Sequence, residues 1–146
     1  MNQHKVNGVI SEFLAAAWFT RNGYIVSWPS DSSVEYDFII DNKTDEPKRV
    51  QVKTIYFENS KKRYIGSLVL THRQNNGKSL NKKYKQGAFD IAAFVSVETN
   101  SIYIVPFDFV HGRRSITFYP DEKGNANYKR PFNFESFKEV LINNDE

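Results

Sequence analysis

Cysteine is absent from the 146 residues. That excludes disulfides, cysteine-ligated zinc and thiol catalysis, and it fits a reducing compartment, so a cytoplasmic protein is expected. No run of eighteen apolar residues occurs, so no membrane-spanning helix is expected. The opening stretch MNQHKVNGVISEF lacks the long apolar core of a secretory leader. Histidine is scarce: His4, His72 and His111 are not spaced as metal ligands. Internal repeats and low-complexity tracts are missing too. One further absence is local. Between Lys61 and Phe89 there is no Asp or Glu.

That acid-free segment holds eight basic residues: Lys61, Lys62, Arg63, Arg73, Lys78, Lys82, Lys83 and Lys85. The formal net charge of the chain is only +3. The other twelve basic residues therefore face all seventeen acidic ones, and a positive segment sits on a mildly acidic body. Such a field suits a polyanion, and nucleic acid is the commonest. A solvated lysine-rich loop would carry the same charges. The remaining composition, 40% hydrophobic and 15% aromatic, is enough for one well-buried core, so a single domain over 1–146 is expected.

The pattern predicts a helix over 7–22, where Val9, Ile10, Phe13, Leu14, Ala17 and Phe19 recur at three- and four-residue spacings. Asn7 or Ser11 is the expected cap, and Asn22-Gly23 the expected end. Strands are predicted at 24–28, 36–41, 49–57, 64–70, 89–98, 101–107 and 114–119. The stretch 42–47 reads as a hairpin turn, 71–87 as a loop or marginal helix, and 130–143 as a C-terminal helix. Helix, meander, basic connection and further strands make a mixed α/β (α+β) class, with a helix packed on a sheet.

Three polar features interrupt this apolar framework. Glu12 lies on the first helix among small residues, Gly8, Ala15 and Ala16, where close approach of another backbone is possible. Asp37 opens the apolar strand YDFIID, a costly place for a carboxylate unless it is paired or exposed. Gln51 and Lys53 share one face of the strand VQVKT. A symmetric hairpin about 42–47 keeps paired positions summing to 89 or 90, which sets Asp37 beside Lys53 and diagonal to Gln51.

The order helix-Glu12, Asp37, Gln51-x-Lys53 resembles the core of the PD-(D/E)XK nuclease superfamily. Within it the chain most resembles the group I intron homing endonucleases, which carry Gln at the usual acid position. Holliday-junction resolvases share the helix glutamate. The resemblance covers mainly residues 7–57 and extends more weakly to 89–95 and 101–107. Tyr36 stands where the motif's name has Pro, and Gln51 leaves the site with two carboxylates where many relatives have three.

The resemblance implies a restriction-endonuclease-like core and metal-dependent hydrolysis of double-stranded DNA, with Mg²⁺ as cofactor and Mn²⁺ as a substitute. It implies Glu12, Asp37 and the Val52 backbone carbonyl as metal ligands, and Gln51 and Lys53 as the remaining catalytic groups. The basic residues of 61–85 and Arg113 and Arg114 would contact DNA, while Arg73, Gln74, Asn75 and Asn76 have the chemistry to reach base edges. Cutting both strands with a chain this small needs two sites, so a homo-oligomer, dimer or tetramer, is expected. A junction resolvase or restriction-like enzyme shares the chemistry with another substrate. A DNA-binding module that has lost catalysis is the alternative of another class.

Overall fold

Asn2 begins the first helix. Its side chain accepts the Lys5 N–H at 2.9 Å, and helix α1 runs Gln3–Arg21 in the computed structural model, which describes residues 2–73, 79–119 and 138–140. The cap thus lies ahead of the expected Asn7 or Ser11. The extra polar turn is held within the helix by Gln3 donating to Asn7 at 2.9 Å, and from outside by the Tyr56 hydroxyl, which His4 and Asn7 both reach. The other end is as expected. Asn22 closes the helix and Gly23 takes a left-handed φ of 90°, which favours a residue without Cβ.

Strand β1 (Ile25–Ser27) pairs antiparallel with β2 (Phe38–Asp41), and β2 with β3 (Lys48–Thr54). Ile55 then leaves the ladder, and β4 (Tyr56–Glu58) begins a second sheet with β5 (Arg63–Ser67). A separate two-stranded ribbon follows, β6 (Val69–Arg73) against β7 (Ser79–Lys83). The chain returns as β8 (Ile91–Ser96), which lies parallel to β3, and β9 (Ser101–Pro106), antiparallel to β8. A short helix α2 (Phe107–Val110) leads to β10 (Ser115–Phe118), which pairs with β5. Strand β11 (Lys138–Val140) pairs with β9. The main sheet therefore has the order β1-β2-β3-β8-β9-β11.

This mixed sheet is covered on both faces. Ala15, Ala16 and Phe19 of α1 pack on Phe38, Ile40, Val50, Val52, Ala93 and Val95. The opposite face carries Ala92, Phe94, Tyr103 and Val105, packed on Ile55, Tyr64, Leu68, Ile116 and Phe118 from the second sheet and its neighbours. Alternation along β8 sends successive residues to opposite cores, which explains why 91–96 is almost continuously apolar. Gly66 of β5 sits where the two layers touch. A Cβ there would meet Ile55 Cγ2 and Phe94 Cδ1, each at 2.9 Å. Both neighbours are fully buried. Gly66→Ala is expected to cost about 1–3 kcal/mol, read as an earlier urea midpoint at unchanged slope.

Four expectations need correction. The helix does not bury Val9, Ile10, Phe13 and Ala17; it buries Ser11, Ala15, Ala16 and Phe19, and leaves Phe13 65% exposed against Trp28. Small side chains let α1 approach the sheet closely, and that gain outweighs the larger face. The predicted strands 49–57 and 64–70 each break, at buried Ile55 and Leu68, whose N–H groups make the last bonds to the neighbouring segments, at the Val95 and Arg114 carbonyls, before the chain passes to the next sheet. Residues 71–73 and 79–83, expected as loop or helix, are strand residues of a ribbon that begins at Val69, because backbone pairing between two neighbouring segments decides strands that carry no apolar alternation. Within the expected C-terminal helix, Lys138–Val140 is extended along β9, and the rest of 130–143 lies outside the described residues.

Candidate active site

The hairpin β2–β3 pairs Phe38 with Val50 and Ile40 with Lys48, so paired positions sum to 88 rather than 89 or 90. Regular pairing ends at Phe38, and Asp37 steps out of the ladder, yet its carboxylate still comes to Val52 and under the charge of Lys53, the neighbour the sequence led us to expect. The Asp37 N–H still bonds the Val50 carbonyl at 2.8 Å, but β2 starts only at Phe38. The next β3 amide, Val52 N–H, therefore has no β2 backbone acceptor. The Asp37 carboxylate supplies it, accepting at 2.7 Å through Oδ2. Asp37 thus extends the ladder with its side chain, and its other oxygen stays available at the same strand edge.

The Val52 carbonyl points to this edge as well, since N–H and C=O of one residue in an extended strand share a side. It accepts from Gln51 Nε2 at 3.2 Å. Lys53, one residue on, lies with its ammonium 5.0 Å from the centre of the Tyr84 ring.

Glu12 reaches the same place from α1. Its helix is pinned to the end of β3 by Ser11, fully buried, whose hydroxyl bonds the Thr54 hydroxyl at 2.7 Å. Ser11 immediately precedes Glu12 and Thr54 immediately follows Lys53, so one hydrogen bond ties this turn of α1 to the Lys53 end of β3, and Glu12 and Lys53 both come under the charge of Asp37. At the opposite end of β3, Arg49 makes a two-pronged contact with Asp90 at 3.2 Å, and its amide bonds the same carboxylate at 2.8 Å. That clamp fixes the parallel register of β3 on β8.

The electrostatics reflect this proximity. Burial, then the Asp37 charge, push the Glu12 carboxyl up to about 7. Burial raises Asp37 above the usual carboxylate range, opposed by the Val52 N–H and by Lys53. Burial lowers Lys53, opposed by Asp37. The Glu12 carboxyl ionises later in the folded chain than in the unfolded one. The folded state therefore holds more protons between pH 4.5 and about 7, and stability falls as pH rises through that window. Glu12→Gln removes the penalty. After discounting for solvent screening at a half-exposed group, the metal-free variant should gain about 1 kcal/mol at pH 8. A thermal scan should show a midpoint a few degrees higher there and no difference near pH 4.

The donors here are all oxygen: two carboxylates and one backbone carbonyl, with the Gln51 amide beside them. Two carboxylates that hinder each other's ionisation are a fit partner for a hard divalent cation. Among the described residues no group of three or more His, Cys, Asp and Glu could hold a metal, so the set needs the carbonyl and water to be complete.

The expected DNA contacts scatter more widely. Lys61 and Lys62 are exposed in the β4–β5 turn, and Lys85, Arg113 and Arg114 are exposed elsewhere. Arg63 is engaged with Glu58 at 2.8 Å, and Arg113 lies over Phe109. Arg73, Lys82 and Lys83 belong to the β6–β7 ribbon. Gln74, Asn75, Asn76 and Lys78 lie outside the described residues. Sequence reasoning missed the Ser11–Thr54 anchor; its only signal was a polar residue at position 11 of the 11/15/19 stripe.

Comparison with known proteins agrees with this layout. The solved structure of a bacterial homing endonuclease, I-Ssp6803I, superposes with a TM-score of 0.73 at 18% identity, covering 94% of this chain and 89% of that one. Protein 5.3 of Escherichia phage T7 is 32% identical over 124 residues, 85% of this chain and 98% of that protein. The sequence model of the PD-(D/E)XK endonuclease matches residues 1–140. With a helix glutamate, an aspartate just ahead of β2 and a strand lysine brought together beside β3, and a family match over nearly its full length, this chain belongs to the PD-(D/E)XK endonuclease family.

Proposed function

We propose that the protein is a divalent-metal-dependent endonuclease that cuts double-stranded DNA at a defined site, as a homing endonuclease does. The observation that carries this reading is the open edge of β3, where Asp37, the Val52 carbonyl, Lys53 and Glu12 meet. Asp37 and Glu12, with the Val52 carbonyl, would hold Mg²⁺, or Mn²⁺ in its place. Such a cation would supply a Lewis acid for the phosphate and lower the pKa of a bound water. Lys53 orients the attacking water and offsets charge that builds on the phosphate. Gln51, now donating to the Val52 carbonyl, has an oxygen for water and an NH₂ for the phosphate. Its neutrality keeps the carboxylate count at two, which weakens metal binding relative to a three-carboxylate site.

The β6–β7 ribbon supports DNA as substrate, because a two-stranded ribbon fits the major groove and this one carries Arg73, Lys82 and Lys83. Lys61, Lys62 and Lys85 extend the phosphate-binding field, with Arg114 beside Arg113 as a second contact. An apolar surface of Val9, Ile10, Phe13, Ile25 and Trp28, each at least 37% exposed, supports assembly of copies into a dimer or tetramer with paired active sites. The test is cleavage of a pool of supercoiled plasmids with randomised inserts. Mg²⁺ should give nicked or linear product, and EDTA should abolish it. Cutting that persists in EDTA, or no binding of Mg²⁺ or Mn²⁺ together with no cutting, refutes the reading.

A further inference from the structure

Gly8 interrupts the inner face of α1. The buried stripe of that helix runs through Ser11, Ala15 and Phe19, and helical spacing puts position 8 on the same stripe. Yet a Cβ built on Gly8 would meet no atom within 4 Å among the described residues. Its backbone is helical, with no positive φ to favour glycine. Inside a helix glycine is less stabilising than alanine, so packing among the described residues gives no reason for it. The exposed apolar surface does not explain it either. Val9, Phe13 and Ile10 lie about 100–160° round the helix from Gly8.

The borders of this gap are polar. To one side of Gly8, the Asn7 carbonyl accepts from the Thr54 hydroxyl at 3.5 Å, Ser11 bonds the same hydroxyl at 2.7 Å, and His4 Nδ1 meets the Tyr56 hydroxyl at 3.0 Å. To the other side, one turn on, Glu12 comes under the charge of Asp37. The gap thus lies between the wall made by Thr54 and Tyr56 and the carboxylates of the proposed metal site. Its mouth favours an anion. His4 and Lys5 are exposed, and the first turn of α1 has no acidic residue. The hairpin that carries Tyr56 holds exposed Lys61 and Lys62 at its turn.

Resting on the nuclease reading above, we propose that the gap at Gly8 is the channel through which a DNA strand reaches the metal site, its phosphodiester backbone passing the bare helix between Glu12 and the His4–Tyr56 pair. Glycine is the residue that lets a ligand's backbone approach a helix this closely. His4 and Lys5 would contact the phosphate next to the one under attack, which fixes the strand without entering the chemistry. Gly8 is then a positioning residue: its missing side chain sets where the scissile phosphate lies relative to Glu12.

The test fills the gap with Gly8→Leu and, more gently, Gly8→Ala. Both residues are better helix formers than glycine, so the thermal midpoint should hold or rise, by about 2–4 °C for alanine. Mn²⁺ binding, read by titration calorimetry, should match the wild type, because neither carboxylate is touched. Affinity of Gly8→Leu for a duplex carrying the mapped cut site, measured in EDTA, should fall about tenfold, as for one lost charge-assisted contact. Single-turnover cutting in Mg²⁺ should slow about 10²-fold, as for a strand misplaced by an ångström. Gly8→Ala should fall between Gly8→Leu and the wild type in both, and it carries the test should the leucine variant not fold. Wild-type affinity in the folded variants overturns the channel and leaves the nuclease reading intact. A midpoint or Mn²⁺ affinity that drops in Gly8→Ala makes Gly8 a packing residue and also overturns it. Wild-type protein that neither binds nor cuts DNA overturns both readings.

Discussion

Lys53→Ala should cut DNA at least about 10²-fold more slowly than the wild type while folding normally. The expectation follows from where the ammonium sits. It is partly buried beside Asp37, and burial pushes it towards its neutral form. Its neighbours are a carboxylate and an aromatic face, so alanine leaves a small cavity and one less-compensated carboxylate. Asp37→Asn is the companion. Asparagine keeps an oxygen for the Val52 N–H, now bonded at 2.7 Å, but removes the negative charge that would hold a cation. Asp37→Ala would be less informative, since it also orphans that amide at about 1–3 kcal/mol. Both informative variants should lose product in the supercoiled plasmid assay and retain a sharp thermal transition. Either variant cutting at the wild-type rate would remove that residue from the site.

Phe38→Ala should give the largest loss of stability. Phe38 is fully buried beneath α1, with ring contacts to Phe19 at 6.0 Å and Trp28 at 5.1 Å. Emptying such a site costs about 3–5 kcal/mol, transfer and cavity together. That is a large part of the roughly 5–15 kcal/mol that holds a domain of this size. The side chain follows Asp37 directly, and its backbone begins the pairing of β2 with β3. The active edge and the core under the helix are therefore one mechanical unit. Urea titration should show the midpoint falling sharply. Phe38→Leu, which keeps most of the volume, should lose much less. Equal midpoints for Phe38→Ala and wild type would mean that the helix–sheet core does not hold this edge.

The functional surface follows a division of labour along the strand VQVKT. Val50 and Val52 anchor it beneath α1, and Thr54 ties it to Ser11. Gln51 and Lys53 lie on the other side, where the proposed chemistry takes place. The same alternation that buries half of the strand presents the other half.

Much of this was legible in the sequence. The polar residues Glu12, Asp37, Gln51 and Lys53 stand out because each interrupts a local apolar pattern that physics otherwise favours. Period-two alternation set the faces of β3, and Gly23 set the end of α1. Charge counting located the basic stretch. What local pattern could not determine were properties that depend on non-local partners. The hairpin register came out one to two positions away, and the backbone pairing ends at Phe38, where the Asp37 side chain takes over. The helix buries its small face because close approach to a flat sheet favours Ala15 and Ala16 over Phe13. The ribbon of β6 and β7 forms by backbone pairing of two neighbouring segments, which no residue in it announces alone. Tyr84, distant in sequence from every motif residue, reaches Lys53 only after β8 has been laid beside β3. Residue type and spacing encode the chemistry this chain carries, and both can be read along the chain. Which of those groups share one site was left to sheet order, register and helix approach, because each of these is set by contacts between segments far apart in sequence.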